Sequence, residues 1–173
     1  MADQMFHVSD KPGIGIFEPR PSPAKFDEIT GDVLFAITGR LLHNYLLPRE
    51  CPRVTYYATP KTKERDKALF FNNSHADYVI TVESKWYSRI ASTTLYCYEL
   101  SPENFVLLDE FAGYYVSYKP VQPISVVKLE DLIDEILKRN VELRFTPNLS
   151  QLADAVVKST LNFSLIRMRN ATK

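Results

Sequence analysis

The sequence has few of the features that usually announce a function. It holds two cysteines, Cys51 and Cys97, far apart and without metal-ligand spacing. Both are expected to be reduced, buried thiols, and only geometry would decide for a disulfide. Its five glycines make no phosphate-cradling loop, and no GxSxG elbow, HExxH pair or CxxC occurs. The three histidines, His7, His43 and His75, lack metal-ligand spacing, so no metal is expected. Lys+Arg and Asp+Glu stand at 21 each. That zero net charge speaks against general nucleic-acid or membrane-surface binding, which relies on a cationic field. No apolar run approaches the roughly 20 residues of a membrane span. Ala2, Asp3 and Gln4 are polar and Pro12 soon interrupts, unlike a signal peptide. These absences predict a cytoplasmic protein without membrane contact. There is also no internal repeat, low-complexity stretch or evident domain boundary.

What is present fits one globular domain over residues 1–173. At this length roughly 70% of the unfolded surface can be buried, enough for a core without staples. Met5 to Val8 reads as a strand, followed by a turn at Asp10-Lys11-Pro12-Gly13. Pro19, Pro21 and Pro23 each lack a backbone donor, so this segment is expected to be an extended loop projecting Arg20. Asp32 to Thr38 is a near-continuous apolar run between Gly31 and Gly39, as in a strand buried on both faces. Arg40 to Leu47 is expected to be a short helix, and Thr59 to Asn73 a loop leading into a helix with Leu69 and Phe70 inward. Further strands are predicted at 53–58, 78–82, 93–100, 105–108, 113–118, 123–127 and 141–145, and 161–168 is a final alternation of apolar and polar residues. A helical turn is expected over 84–92.

Leu129 to Asn140 carries apolar residues at i, i+3, i+4, i+7 and i+8, the stripe of an amphipathic helix. Asn148 is a plausible cap for a last helix over 149–159, with Leu149, Leu152 and Val156 inward. The predicted class is α+β: a strand-rich mixed or antiparallel sheet core with a few helices.

Several residues suggest a polar pocket. His7 and Ser9 alternate onto one face of the first strand, which allows a two-point grip on a polar ligand. The competing reading is a satisfied core or rim histidine. Arg20, Arg49 and Arg53 lie beside prolines, and rigid loops favour guanidinium binding of phosphate or carboxylate. Solvated or salt-bridging arginines are the alternative. Tyr45 and Trp86 offer faces for a base or sugar, against a plain packing role. Asp109 and Glu110 precede a strand, where an acid would stabilise developing positive charge, or simply sit in a solvated turn.

The runs FHVS, FEPRPSP, NYLLPRECPRVTYYA, GYYVS and VELRFTPNLSQLADAVVKSTLNFSLIRMRNA resemble a bacterial family known only as a domain of unknown function. Separately, His7-Val8-Ser9 is similar to the first-strand motif of the ADP-ribosyltransferase-like superfamily. Phe35 stands where that superfamily usually has a tyrosine, and Glu110 or Asp109 is nearest to its acid. This second resemblance implies NAD as a substrate, with His7 and Ser9 on a ribose and Arg20 and Arg49 on the pyrophosphate. Tyr45 or Trp86 would face the base, and Glu110 an oxocarbenium-like transition state. Two other readings stand beside it. One is a non-catalytic domain binding a phosphorylated or carboxylated small molecule. The other is a structural or interaction protein.

Overall fold

The computed structural model describes residues 4–173, so Ala2 and Asp3, part of the polar start, lie outside the described residues. The chain divides into two compact units, residues 1–42 with 94–129, and residues 43–93 with 130–173. Both are α+β or β in character, and each is built on its own sheet.

The first unit is a six-stranded antiparallel sheet. Its strands are β1 (Met5–Ser9), β2 (Leu34–Thr38), β5 (Leu95–Leu100), β6 (Val106–Asp109), β7 (Tyr114–Ser117) and β8 (Pro123–Leu129). They lie in the order β6-β7-β2-β1-β5-β8. Alternation along β1 and β5 sends Met5, Tyr98 and Leu100 to one face, where they pack with Phe17, Leu34, Ala36 and Val121. The proline-rich loop reaches this core by two short bridges, Phe17 to Val121 and Arg20 to Val33. Arg20 has the backbone donor that Pro19 and Pro21 lack. Its N–H donates to the Val33 carbonyl at 3.0 Å, and Val33 N–H donates back at 2.9 Å. The predicted turn before it is present, with Gly13 at φ +69°. The Tyr98 hydroxyl pins that turn by donating to the Lys11 carbonyl at 2.7 Å.

The second unit holds β3 (Arg53–Tyr57), β4 (Tyr78–Glu83), β9 (Val141–Thr146) and β10 (Asn162–Ile166). Their order is β10-β3-β4-β9, with β4 and β9 parallel and the other pairs antiparallel. Its helices are α1 (Glu64–Phe71), α2 (Tyr87–Ser92), α3 (Leu132–Leu137) and α4 (Ser150–Val157). The register places Val54, Tyr56 and Val79 on one face, and it is covered by Phe70 and Phe71 of α1, Val156 of α4 and Leu149 just before α4.

Three helical expectations shift. The segment from Gly39 to Tyr45 is a 3-10 helix, one residue earlier and shorter at its end than predicted. Helix α3 starts at Leu132 rather than Leu129. Leu129 instead pairs with Leu95 as the last residue of β8, and the Asp131 carboxylate caps the helix by accepting from Asp134 N–H at 3.0 Å. In α1, Leu69 is 71% exposed, whereas Phe70 and Phe71 are buried. Successive helical residues turn by about 100°, so a helix that buries 70 and 71 turns 69 outward.

Candidate functional site

The residues singled out from the sequence divide between the two units. His7, Ser9, Arg20 and Glu110 belong to the first, and Tyr45, Arg49 and Trp86 to the second. His7 sits mid-strand opposite Tyr98. Its Nδ1 lies 2.9 Å from the Phe35 carbonyl oxygen, which only accepts, so Nδ1 carries the proton. The ring leans on Phe17 at 4.8 Å. The Ser9 hydroxyl accepts from Lys11 N–H at 3.1 Å, a local turn contact.

Arg20 is exposed and enters the sheet beside Val33, at the start of β2. Glu110 is exposed in the turn from β6 to β7. Asp109 Oδ1 holds that turn by accepting from the N–H groups of Phe111 and Ala112 at 2.9 and 3.0 Å. Thr38 N–H, at the far end of β2, donates to the Gly113 carbonyl of the same turn at 3.2 Å. Arg20 and Glu110 therefore stand at opposite ends of β2. For its five residues that is a separation of roughly 17 Å along the strand. By extension of the β1–β2 register, Ser9 lies at Arg20's end.

In the second unit, the Arg53 guanidinium sits over the Tyr45 ring at 5.7 Å. Arg49 is exposed, and its backbone carbonyl accepts from Arg167 Nε at 3.3 Å. The Trp86 ring carries the Arg89 guanidinium at 5.1 Å. The Trp86 indole N–H is buried and has no hydrogen-bond partner among the described residues.

The same unit contains a polar hollow that the sequence reading passed over. Its volume is about 490 Å³, and its lining includes Leu69, Phe70, Ser74, Glu142 and Arg144. Glu142 and Arg144 are two apart on β9, so they share the sheet face that carries Val79 and Tyr56. Arg144 Nε donates to Glu142 Oε1 at 2.7 Å. Its Nη1 donates to the Tyr56 hydroxyl and to the Phe70 carbonyl, each at 2.8 Å. Two edges of the guanidinium are thus fixed. Nη2 makes no hydrogen bond among the described residues, and 31% of the side chain is exposed.

The floor of the hollow is the last turn of α1. Asn72, at φ +51°, reverses the chain after that helix. Ser74 N–H donates to the Phe71 carbonyl at 2.8 Å.

The charges in the hollow are settled by these contacts. The hydrogen bond from Arg144 holds the Glu142 carboxyl below its ordinary range, against the opposing effect of burial and with help from Ser74. Burial opposes the Arg144 charge, but Glu142 more than offsets it and the guanidinium titrates above its usual value. Burial pushes the Tyr56 hydroxyl up to about 12. An adjoining hollow of about 460 Å³ shares Phe71, Asn72 and Ser74. Its lysine, Lys67, is tied to Glu64 at 2.7 Å. The signal that could have pointed to Arg144 is its alternation with Glu142 in Val141-Glu142-Leu143-Arg144-Phe145, which puts a charged pair on a face otherwise meant for the core.

Among the described residues, no three His, Cys, Asp or Glu side chains are grouped to hold a metal ion. No helix among them is long and apolar enough to cross a membrane. Residues 6–171 match the model of a family described as a family of unknown function, DUF6886. No curated protein and no solved structure matches the chain.

Proposed function

The chain belongs to this family of unknown function, and we propose that it is a non-catalytic binding module whose Arg144 hollow receives the carboxylate of a small molecule. The observation that carries this reading is the fixed guanidinium. Glu142, Tyr56 and the end of α1 hold Nε and Nη1, while Nη2 keeps its donors for a ligand. Held in place by the other contacts, the two N–H groups of Nη2 lose little freedom on binding and make charge-assisted hydrogen bonds to a carboxylate oxygen. The hollow's volume of about 490 Å³ lies in the range of small-molecule sites.

A carboxylate is favoured over a phosphate dianion for an electrostatic reason. Glu142 already balances Arg144, and the C-terminal end of α1 is the negative end of its dipole. A doubly charged anion would meet no net positive field there. Binding is favoured over catalysis because Arg144 and Glu142, which line the hollow, and Tyr56, which holds Arg144, keep their protons or charges across neutrality. The Tyr56 hydroxyl titrates at about 12, Arg144 stays cationic and Glu142 stays ionised. A general acid or base works best when it titrates near the operating pH.

The test is a nuclear magnetic resonance titration of the whole chain with 4-methylpentanoate at millimolar concentrations. Amide shifts are expected at 69–74 and 142–144, and Arg144→Lys should abolish them because an ammonium on a flexible stem does not hold donors at the position of Nη2. Shifts elsewhere, or shifts that survive Arg144→Lys, would overturn the proposal.

A further inference from the structure

We infer that the molecule received by the Arg144 hollow is an α-amino acid in its zwitterionic form, with an apolar side chain. The inference rests on the binding reading above and narrows it to a ligand class.

Charge balance calls for a cation on the ligand. Arg144 and Glu142 form one ion pair at 2.7 Å, so the two charged side chains of the hollow cancel. A simple carboxylate at Nη2 would leave one surplus negative charge beside the last turn of α1. That turn already presents the negative end of a helix. An ammonium on the same ligand removes the surplus. It brings three donors within the hollow that the Glu142 carboxylate lines.

Glu142 has acceptor capacity to spare. An ionised carboxylate offers about four lone-pair sites. Glu142 accepts from Arg144 Nε at 2.7 Å through one of its oxygens. Both side chains line the same hollow. The two opposite charges stand side by side on one face of β9, 2.7 Å apart. That closeness suits a ligand whose own charges are separated by a single carbon.

The rest of the ligand would meet apolar surface. Leu69 is 71% exposed, and it lines this hollow together with Phe70 and Phe71. A side chain lying on Leu69 would cover apolar surface that the fold itself leaves in water. A polar or charged side chain would gain nothing there.

The test compares four probes on the full chain by the same titration: L-leucine, 4-methylpentanoate, isoamylamine and inorganic phosphate. L-Leucine is expected to bind at least tenfold more tightly than either singly charged analogue, with phosphate weakest. Glu142→Gln keeps an acceptor for Arg144 Nε while removing the negative charge. In that variant the preference for leucine should vanish and 4-methylpentanoate should bind more tightly than to the wild type. If 4-methylpentanoate matches leucine on the wild-type protein, the zwitterion inference fails and the carboxylate reading stands. If isoamylamine matches leucine, or no probe shifts residues 69–74, both fail. The wild-type comparison decides the matter even if the variant does not fold.

Discussion

Arg144 on β9 and Tyr56 on β3 meet above the strand that separates them, with Arg144 Nη1 2.8 Å from the phenolic oxygen. Strands two places apart lie roughly 10 Å from each other, so only long side chains close the gap. Both then donate to one carbonyl, that of Phe70, with the tyrosine at 3.0 Å and the arginine at 2.8 Å. The end of α1 is thereby fastened to two strands at once, and the same contact positions the guanidinium of the hollow.

Tyr56→Phe tests this fastening. Tyr56 is 1% exposed, and its ring packs against Phe70 and Phe71 at 5.5 and 5.6 Å. Phenylalanine keeps that packing and removes only the hydroxyl. The Arg144 Nη1 donor loses one of its two acceptors, and the Phe70 carbonyl loses one of its two donors. The expected loss of stability is about 1–3 kcal/mol, read from urea unfolding. Ligand affinity should fall as well, since the guanidinium that presents Nη2 is less firmly set. A variant as stable as the wild type would mean that the hydroxyl contributes nothing to holding α1.

The strand pattern was legible in the sequence because a strand leaves either a period of two or, where both faces are covered, a continuous apolar run. The Asp32 to Thr38 run, the Thr93 to Leu100 alternation and the short strand at Met5 all became strands of the first sheet. Helix bounds were less legible. The apolar stripe from Leu129 is compatible with a helix, but the ladder to β5 claims Leu129, and a cap at Asp131 sets the start. Leu69 shows the same limit, since apolar character alone does not say which residues of a short helix face the sheet.

For the site, local signals were misleading in a specific way. His7 and Ser9 share a face as expected, yet the imidazole is bonded to the Phe35 carbonyl and the hydroxyl to Lys11 N–H. The grouping of Tyr56, Phe70, Glu142 and Arg144 joins residues up to 88 positions apart. Only the strand order β3-β4-β9 brings them together.

Two glycines with the same backbone angle make a controlled pair for the first unit. Gly13 and Gly113 both have φ +69°. A Cβ at Gly13 meets nothing within 4 Å, whereas at Gly113 it would lie 2.9 Å from Thr38 Oγ1 and 3.1 Å from Leu41 Cδ1. Gly13→Ala should therefore show only the penalty of a left-handed alanine, about 1 kcal/mol. Gly113→Ala adds a collision at the hairpin whose carbonyl receives Thr38 N–H. Its loss should be larger, about 2–4 kcal/mol in total. Urea unfolding of both variants checks the difference. Equal losses would show that the hairpin yields enough to accommodate the methyl group.

Acid should unfold the protein partly through Glu83, the fully buried carboxylate at the end of β4. Burial pushes its carboxyl up, but three contacts outweigh burial and the net shift is downward. Thr172 N–H donates at 2.8 Å, Lys85 Nζ lies at 3.0 Å and the Thr172 hydroxyl donates at 3.1 Å. Glu142 is lowered too, chiefly by Arg144. A carboxyl depressed on folding contributes stability above its unfolded value, near 4.3, and loses it as pH falls through the folded one. The urea midpoint should thus respond little to these groups from neutrality to about pH 5, then decline below about pH 4. Glu83→Gln removes the proton linkage at that site and one acceptor for the segment around Thr172. The variant should be less stable than wild type at pH 7, and the gap should narrow on acidification. Faster hydrogen exchange at the Thr172 amide is expected at pH 7, because its acceptor is weakened. A gap of constant size across the pH range would show that the charge on Glu83 does not hold the C-terminal segment in place.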